Sequence, residues 1–132
     1  MKLTFPGTRG NIEAKTDRHR RHTNLIVSYR SKNVLIDCGE DWKGKLEELK
    51  PDAIVITHAH PDHSFALKDG APCRVYAPEE AYKEIKNYKI NNLKEIKHRK
   101  PFKAVGIQFE AFPVEHSIKA PAVGYRVSAG KH

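Results

Sequence analysis

Short apolar runs separated by turn residues dominate the chain and predict many strands and few helices. The predicted strands cover 2–5, 25–29, 34–37, 53–57, 74–76, 102–105, 107–112 and 122–128. The run at 53–57 is continuous and rich in β-branched residues, which is typical of a buried central strand. Glycine at 106 separates two runs and predicts a hairpin there.

Helical spacing appears in the middle of the chain, where helices are predicted at 41–50, 62–67 and 78–88. Trp42, Leu46 and Leu49 recur at i, i+4 and i+7, so they would share one face of the first helix. Early strands follow one another directly, whereas later strands alternate with helices. This order predicts an α/β fold with one mixed sheet and helices packed mainly on one face.

Length and composition set limits on the class of protein. The 132 residues are 39% hydrophobic and 30% charged, which predicts one globular domain over 1–132. No apolar run approaches the roughly 18 residues of a membrane span, and the first residues lack the apolar core of a signal peptide. We therefore expect a cytoplasmic protein with no membrane partner. Cys38 and Cys73 share no metal-ligand spacing and are expected to be reduced and buried.

Basic residues exceed acidic ones by 24 to 16, and the net charge of +8 favours a phosphate-bearing partner. The segment 15–21 either clamps a phosphate backbone or forms a solvated loop, and it contains no aromatic residue on which a base could stack. A second basic run at 94–103 is interpreted as a solvated face.

The strongest chemical signal is the heptapeptide at 57–63, Thr-His-Ala-His-Pro-Asp-His, directly after the predicted central strand. Residues i and i+2 of an extended chain point to the same side, so His58 and His60 can reach one metal. Asp62 and His63 fall where the chain turns into a helix and can face a second metal. Four polar side chains in a core would each cost roughly 1–3 kcal/mol if unpaired, which favours a functional site.

This heptapeptide matches the central motif of the metallo-β-lactamase-fold hydrolases, and the chain resembles that family in other places. Asp37 stands at the end of an earlier predicted strand, as does the Asp of the family's first motif. His116 follows a later strand, as does the third. The opening loop at 5–10 is similar to that of the ribonuclease Z and phosphodiesterase branches. The resemblance implies the N-terminal half of an αββα sandwich.

The resemblance also implies a function, a zinc-dependent hydrolase that cleaves a phosphodiester through a metal-activated water. It places one zinc on His58, His60 and His116, and a neighbouring zinc beside Asp62 and His63. Asp62 would be the catalytic residue that orients the water or accepts its proton. The cofactor would be one or two Zn²⁺ ions. In the family, the residue at the position of Asp37 supports the metal-bearing loop and is not usually a ligand.

Two alternatives remain open at this point. The same site could hydrolyse a thioester, a lactone or another acyl substrate. The chain could also be an inactive half-domain that only binds metal, because the family's fourth and fifth motifs are absent and 117–132 contains no acidic residue. The sequence is compatible with a truncated hydrolase, a natural half-domain or a self-sufficient small fold.

The half-sandwich hypothesis leads to an expectation about assembly. If the second half is absent, one apolar sheet face needs another cover, which predicts a homodimer or a complementary half-domain. The positions expected to need this cover are Leu25, Val27, Val34, Ile36, Ile54, Ile56, Phe109, Val123 and Tyr125.

Overall fold

The computed structural model describes residues 1–132, and its first six strands form one mixed sheet in sequence order. These strands are β1 (Lys2–Gly7), β2 (Asn24–Tyr29), β3 (Lys32–Ile36), β4 (Ala53–Val55), β5 (Arg74–Pro78) and β6 (Leu93–Ile96). Strands β1 to β3 pair antiparallel, and β3 to β6 pair parallel. Every residue of β4 is buried, as expected for a central strand covered on both faces. The predicted mixed sheet and α/β class are confirmed.

A second, antiparallel sheet consists of β7 (Phe102–Ala104), β8 (Ile107–Val114) and β9 (Ala122–Ser128). The predicted hairpin corresponds to β7 and β8. The sequence did not predict that these strands separate from the first sheet, since each strand showed only its own apolar pattern.

The two sheets pack face to face around one hydrophobic cluster. Val27, Val34 and Val55 of the first sheet meet Ile107 and Phe109 of the second. All five side chains are completely buried. The other face of the first sheet packs against the helices and turns, in a cluster that includes Trp42 and Leu67. The helices therefore lie on one face, as predicted.

The helical segments are shorter than predicted. They are the 3₁₀ turns Glu40–Trp42, Leu46–Leu49 and Phe65–Leu67 and the helices α1 (Pro61–Ser64) and α2 (Glu79–Ile85). The predicted helix at 41–50 is wrong, because Gly44 and Lys50 adopt positive φ angles of 71° and 48° that interrupt and end it. Trp42 and Leu46 still face the core, so the apolar spacing was real. No helix is long and apolar enough to cross a membrane.

The apolar face that was expected to need a partner chain is already covered by the second sheet. Of the nine positions named above, none is exposed, and Leu25, Ile36 and Tyr125 are partly buried while the others are buried. The premise of the predicted dimer is therefore wrong. Seven of the nine positions lie in the cluster between the two sheets, to which the second sheet contributes Phe109, Val123 and Tyr125. Ile54 and Ile56 lie in the cluster on the helix side of the first sheet.

Gly39 occupies a position where even a methyl group has no room. A Cβ there would lie 2.1 Å from the carbonyl oxygen of Asp62 and 2.6 Å from Cβ of His22. We expect Gly39→Ala to lower the free energy of unfolding by about 1–3 kcal/mol, because backbone must move to relieve the contact. The matched control is Gly10→Ala, since nothing lies within 4 Å of a Cβ there. Urea unfolding measures both, and equal stability of the two variants would contradict this packing.

Candidate metal centre

The heptapeptide lies at the carboxyl end of the central strand. Thr57 follows β4, and His58 and His60 occupy the loop that leads into α1. His60 is extended, with φ −60° and ψ 151°, and Pro61 takes the first position of the helix. His116 comes from the other sheet, in the loop after β8. The site is therefore built where the two sheets meet at one edge.

Two hydrogen bonds from β9 fasten the second sheet to this edge. The backbone N–H of Val123 donates to the carbonyl of Thr57 at 3.1 Å. The hydroxyl of Tyr125 donates to the carbonyl of Ile56 at 2.8 Å. These bonds fix the position of the His116 loop relative to the heptapeptide.

Ring nitrogens of three histidines converge on one point. Nε2 of His58 lies 3.1 Å from Nδ1 of His60, and Nε2 of His116 lies 3.3 Å from the same atom. One nitrogen from each ring lies within 4.8 Å of the others. Tetrahedral coordination at roughly 2.1 Å requires nitrogen separations of about 3.4 Å, so little movement is needed to hold a zinc ion.

The protonation state of His58 is set by its neighbours. The Thr57 hydroxyl gives its only proton to Oδ2 of Asp37 at 2.6 Å. Nδ1 of His58 lies 2.9 Å from the same hydroxyl oxygen, so it must be the donor in that contact. Nε2 of His58 is left with a free lone pair directed at the convergence point. Asp37 and Thr57 thus hold His58 in the tautomer that a metal ligand would need.

Burial also favours the neutral form of the His58 imidazole. His58 is 4% exposed, and desolvation together with the neighbouring His63, His60 and His116 lowers its pKa to about 3. The imidazole is therefore neutral at pH 7, which is the form that binds metal.

Asp62 and His63 lie beside the three histidines, and the His58 and His63 ring centroids are 4.1 Å apart. His63 places Nδ1 2.6 Å from Asp37 and Nε2 3.2 Å from Asp62. Burial opposes its charged form, but hydrogen bonds to these two carboxylates raise the pKa of His63 to about 10. Burial likewise opposes ionisation of Asp62, and the His63 contact lowers its pKa nonetheless.

One oxygen of Asp62 has no protein partner. The residue is 5% exposed, and its Oδ1 is buried without a hydrogen bond. An unpaired buried carboxylate oxygen is costly, so it marks a place where a ligand or water belongs. The structure thus brings three of the predicted ligands, His58, His60 and His116, to one point. His63 groups with Asp37 and His58, and Asp62 contacts His63.

The sequence analysis missed a buried ionic network that positions the loop before β2. Arg9, which is 5% exposed, bonds to the carboxylate of Asp41 and lies 3.0 Å from Nε2 of His22. Asp41 also accepts the backbone N–H of His22 at 2.9 Å, and the Trp42 indole donates to the His22 carbonyl at 2.8 Å. His22 then packs against Gly39, which contacts the backbone of Asp62. Because these partners are distant in sequence, no local pattern could reveal them.

The remaining histidines stay apart from the cluster. His19 contacts the Thr8 hydroxyl at 2.8 Å, and His98 lies 3.2 Å from Glu80. Both cysteines are free, as predicted, with Cys38 buried and Cys73 only partly so. Desolvation raises the pKa of the Cys73 thiol to about 11, so it is protonated at pH 7.

Comparisons with known proteins agree with this architecture. Residues 32–132, which contain all the candidate ligands, match the family model described as "Beta-lactamase superfamily domain". Ribonuclease Z of Methanococcus maripaludis strain C6 is 30% identical over 96% of this chain and 49% of its own length.

Two solved structures share the fold. The metallo-beta-lactamase fold protein YhfI of Bacillus subtilis superposes with a TM-score of 0.72 and 19% identity, over 98% of this chain and 59% of that one. The short form of human tRNase Z superposes with a TM-score of 0.66 and 20% identity, over 98% and 65%. The chain spans about half the length of the curated relatives it matches. The chain has the metallo-β-lactamase fold and resembles ribonuclease Z. By the family match, it belongs to the beta-lactamase superfamily.

Proposed function

We propose that this chain supplies a zinc centre for hydrolysis of a phosphodiester, with His58, His60 and His116 as ligands of one zinc ion. The observation that carries the proposal is the convergence of three ring nitrogens from two different sheets. Hydrogen bonds among the three rings do not by themselves explain why all three face one point at the edge of a fold.

The donor set fits zinc. Imidazole nitrogen is a preferred zinc ligand, and three protein ligands with one open position are typical of catalytic zinc sites. The His58 lone pair is already oriented by the Asp37–Thr57 pair. Asp62, whose Oδ1 is unpaired, contacts His63, and the His63 ring lies beside that of His58. Asp62 and His63 would belong to a neighbouring second zinc, which two ligands alone leave underfilled.

The residues of the chain have distinct roles in this proposal. A zinc ion held by His58, His60 and His116 would supply the Lewis acidity that activates a water near neutral pH. Asp62 is ionised, and its free oxygen is available to orient the attacking water or accept its proton. Before any second zinc binds, both ring nitrogens of His63 are engaged, one with the other Asp62 oxygen and one with Asp37. The chain thereby fixes the direction of the acceptor oxygen before substrate binds.

Charge and relatives together favour a phosphodiester over an acyl substrate. The loop between β1 and β2 carries exposed cations, and the Arg9–Asp41–His22 network fixes its base beside the site. Similar proteins bear the names ribonuclease Z and tRNase Z. We therefore propose a nucleic acid or another phosphate-bearing molecule as the substrate, within a cytoplasmic setting.

We also propose pairing with a second copy or a complementary half-domain, based on a strand edge and exposed apolar side chains and not on an uncovered sheet face. Strand β9 is the last strand of its sheet, and apart from the Val123 N–H bonded to Thr57 its outer edge pairs with no other strand, so it can accept one. Leu3, Phe5 and Ile118 are exposed by 49%, 63% and 100%. These apolar side chains offer further contact area to a partner.

The first prediction concerns His116. We expect His116→Ala to weaken zinc binding at least tenfold and to abolish zinc-dependent hydrolysis of bis-p-nitrophenyl phosphate, because one of three ligands is lost. His98→Ala is the matched control, since His98 pairs with Glu80 and is not part of either possible metal group. Zinc affinity is measured by competition with a chelating dye. Equal affinities of the two variants would refute the ligand assignment.

A second prediction concerns Thr57. Thr57→Val keeps the shape of the side chain but removes the hydroxyl that fixes the His58 tautomer, so zinc affinity should fall about 10- to 100-fold. Thr57→Ser keeps the hydroxyl and should bind zinc almost as the parent does. Thr4→Val, an exposed change on β1, is the control for the loss of a hydroxyl. Parent-like affinity in Thr57→Val would show that the hydroxyl does not prepare the ligand.

A third prediction concerns stoichiometry. Monomers separated by sedimentation should hold about one zinc per chain, because Asp62 and His63 leave a second site short of ligands. Paired chains could hold two if the partner supplies the missing groups. Two tightly held zinc ions in strict monomers would contradict this. One zinc with no hydrolysis of the phosphodiester would instead support the inactive metal-binding half-domain.

A further inference from the structure

The outer face of the three-stranded sheet carries a cluster that the metal centre does not use. The guanidinium carbons of Arg99 and Arg126 lie 5.5 Å and 5.0 Å from the ring centroid of Phe112. Both arginines are exposed and the ring is partly exposed. We call these three residues the arginine–phenylalanine cluster.

The fold assembles this cluster from three distant segments. The backbone N–H of Arg99 donates to the carbonyl of Ala111 at 2.8 Å, which fastens the turn after β6 to strand β8. Phe112 pairs with Gly124 on β9, so no side chain stands directly opposite the ring, and Arg126 of the same strand reaches it from the neighbouring pair. The basic run at 94–103, interpreted from sequence as a solvated face, is thus partly organised around an aromatic ring.

The charge of this face is predominantly positive. Lys103 pairs with Gln108 and therefore points to the same outer face as Phe112. The one acidic side chain among these strands is Glu110, whose carboxylate lies 3.5 Å from Arg126. Arg126 is 69% exposed at its side chain, so this ion pair is solvated and leaves donors free.

We propose that the arginine–phenylalanine cluster binds a single-stranded segment of nucleic acid. Guanidinium groups hold phosphates through paired N–H donors, and bases stack on aromatic rings and guanidinium planes. The inference rests on the proposed function, because the bound strand would be the substrate of the metal centre. Phe112 is four residues before His116, so the two lie at most about 14 Å apart. A strand of a few nucleotides covers that distance.

The test uses the metal-free full chain and a short fluorescein-labelled single-stranded oligoribonucleotide, with binding followed by fluorescence anisotropy. Phe112→Leu should weaken binding roughly five- to tenfold, because the apolar bulk stays but the stacking face is lost. Phe112→Tyr keeps the ring and should bind as the parent does. Arg99→Gln/Arg126→Gln should weaken binding at least tenfold. The slope of log K against log salt concentration should become less steep by about 1.4, as expected for two lost phosphate contacts on a single strand.

Controls separate this site from general charge. Lys86→Gln/Lys89→Gln removes two exposed cations at the end of α2 and should change binding less than twofold. Thermal melting of each variant confirms that it is folded. Parent-like binding by Phe112→Leu, or an equal loss in the lysine variant, would overturn the proposal in favour of nonspecific polyanion attraction.

The two proposals fail in different ways. Cluster variants should keep the zinc affinity of the parent and its hydrolysis of bis-p-nitrophenyl phosphate, which is too small to need the cluster. Hydrolysis without cluster-dependent oligonucleotide binding would overturn this inference alone. Cluster-dependent binding without any zinc-dependent hydrolysis would overturn the proposed function and leave the nucleic acid surface standing.

Discussion

The carboxylate of Asp37 is the interaction on which the site depends. The residue follows β3 in a left-handed conformation, with φ of 62°, which aspartate tolerates better than most residues. It is 3% exposed, yet its oxygens accept bonds from the Thr57 backbone, the Thr57 hydroxyl and His63. A buried carboxylate is stable only with such partners. The end of one strand therefore determines both the central loop and the start of α1.

The packing of the two sheets supplies the rest of the geometry. Residues 37–63 contain Asp37 and four of the five predicted ligands, but His116 arrives from the other sheet. The hydrophobic cluster around Phe109 sets the distance between the sheets. The bonds from Val123 and Tyr125 set their alignment at the edge. The three histidine rings can therefore meet only if the core between the two sheets packs correctly.

Much of this arrangement could be predicted from sequence, and the failures have physical causes. The heptapeptide is local and chemically unusual, so the spacing of its histidines alone predicted that His58 and His60 can reach one point. The second sheet was missed because apolar alternation in β8 indicates a buried face but not which surface buries it. The spacing of Trp42, Leu46 and Leu49 suggested one helix, whereas Gly44 divides the segment into two turns. The Arg9–Asp41 pair spans 32 positions and leaves no local signal.

The candidate ligands differ in exposure to solvent and in how firmly they are held. His58 is buried and held through Thr57, whereas His116 is exposed and stands at the start of a loop whose Ile118 is fully exposed. Departure of a bound ion would therefore begin with rotation of the His116 ring, since the other rings have less room to turn. The residence time of such an ion would depend on this loop, whereas its recapture would depend on the Asp37 framework. The rate of exchange and the equilibrium affinity would then be governed by different parts of the same fold.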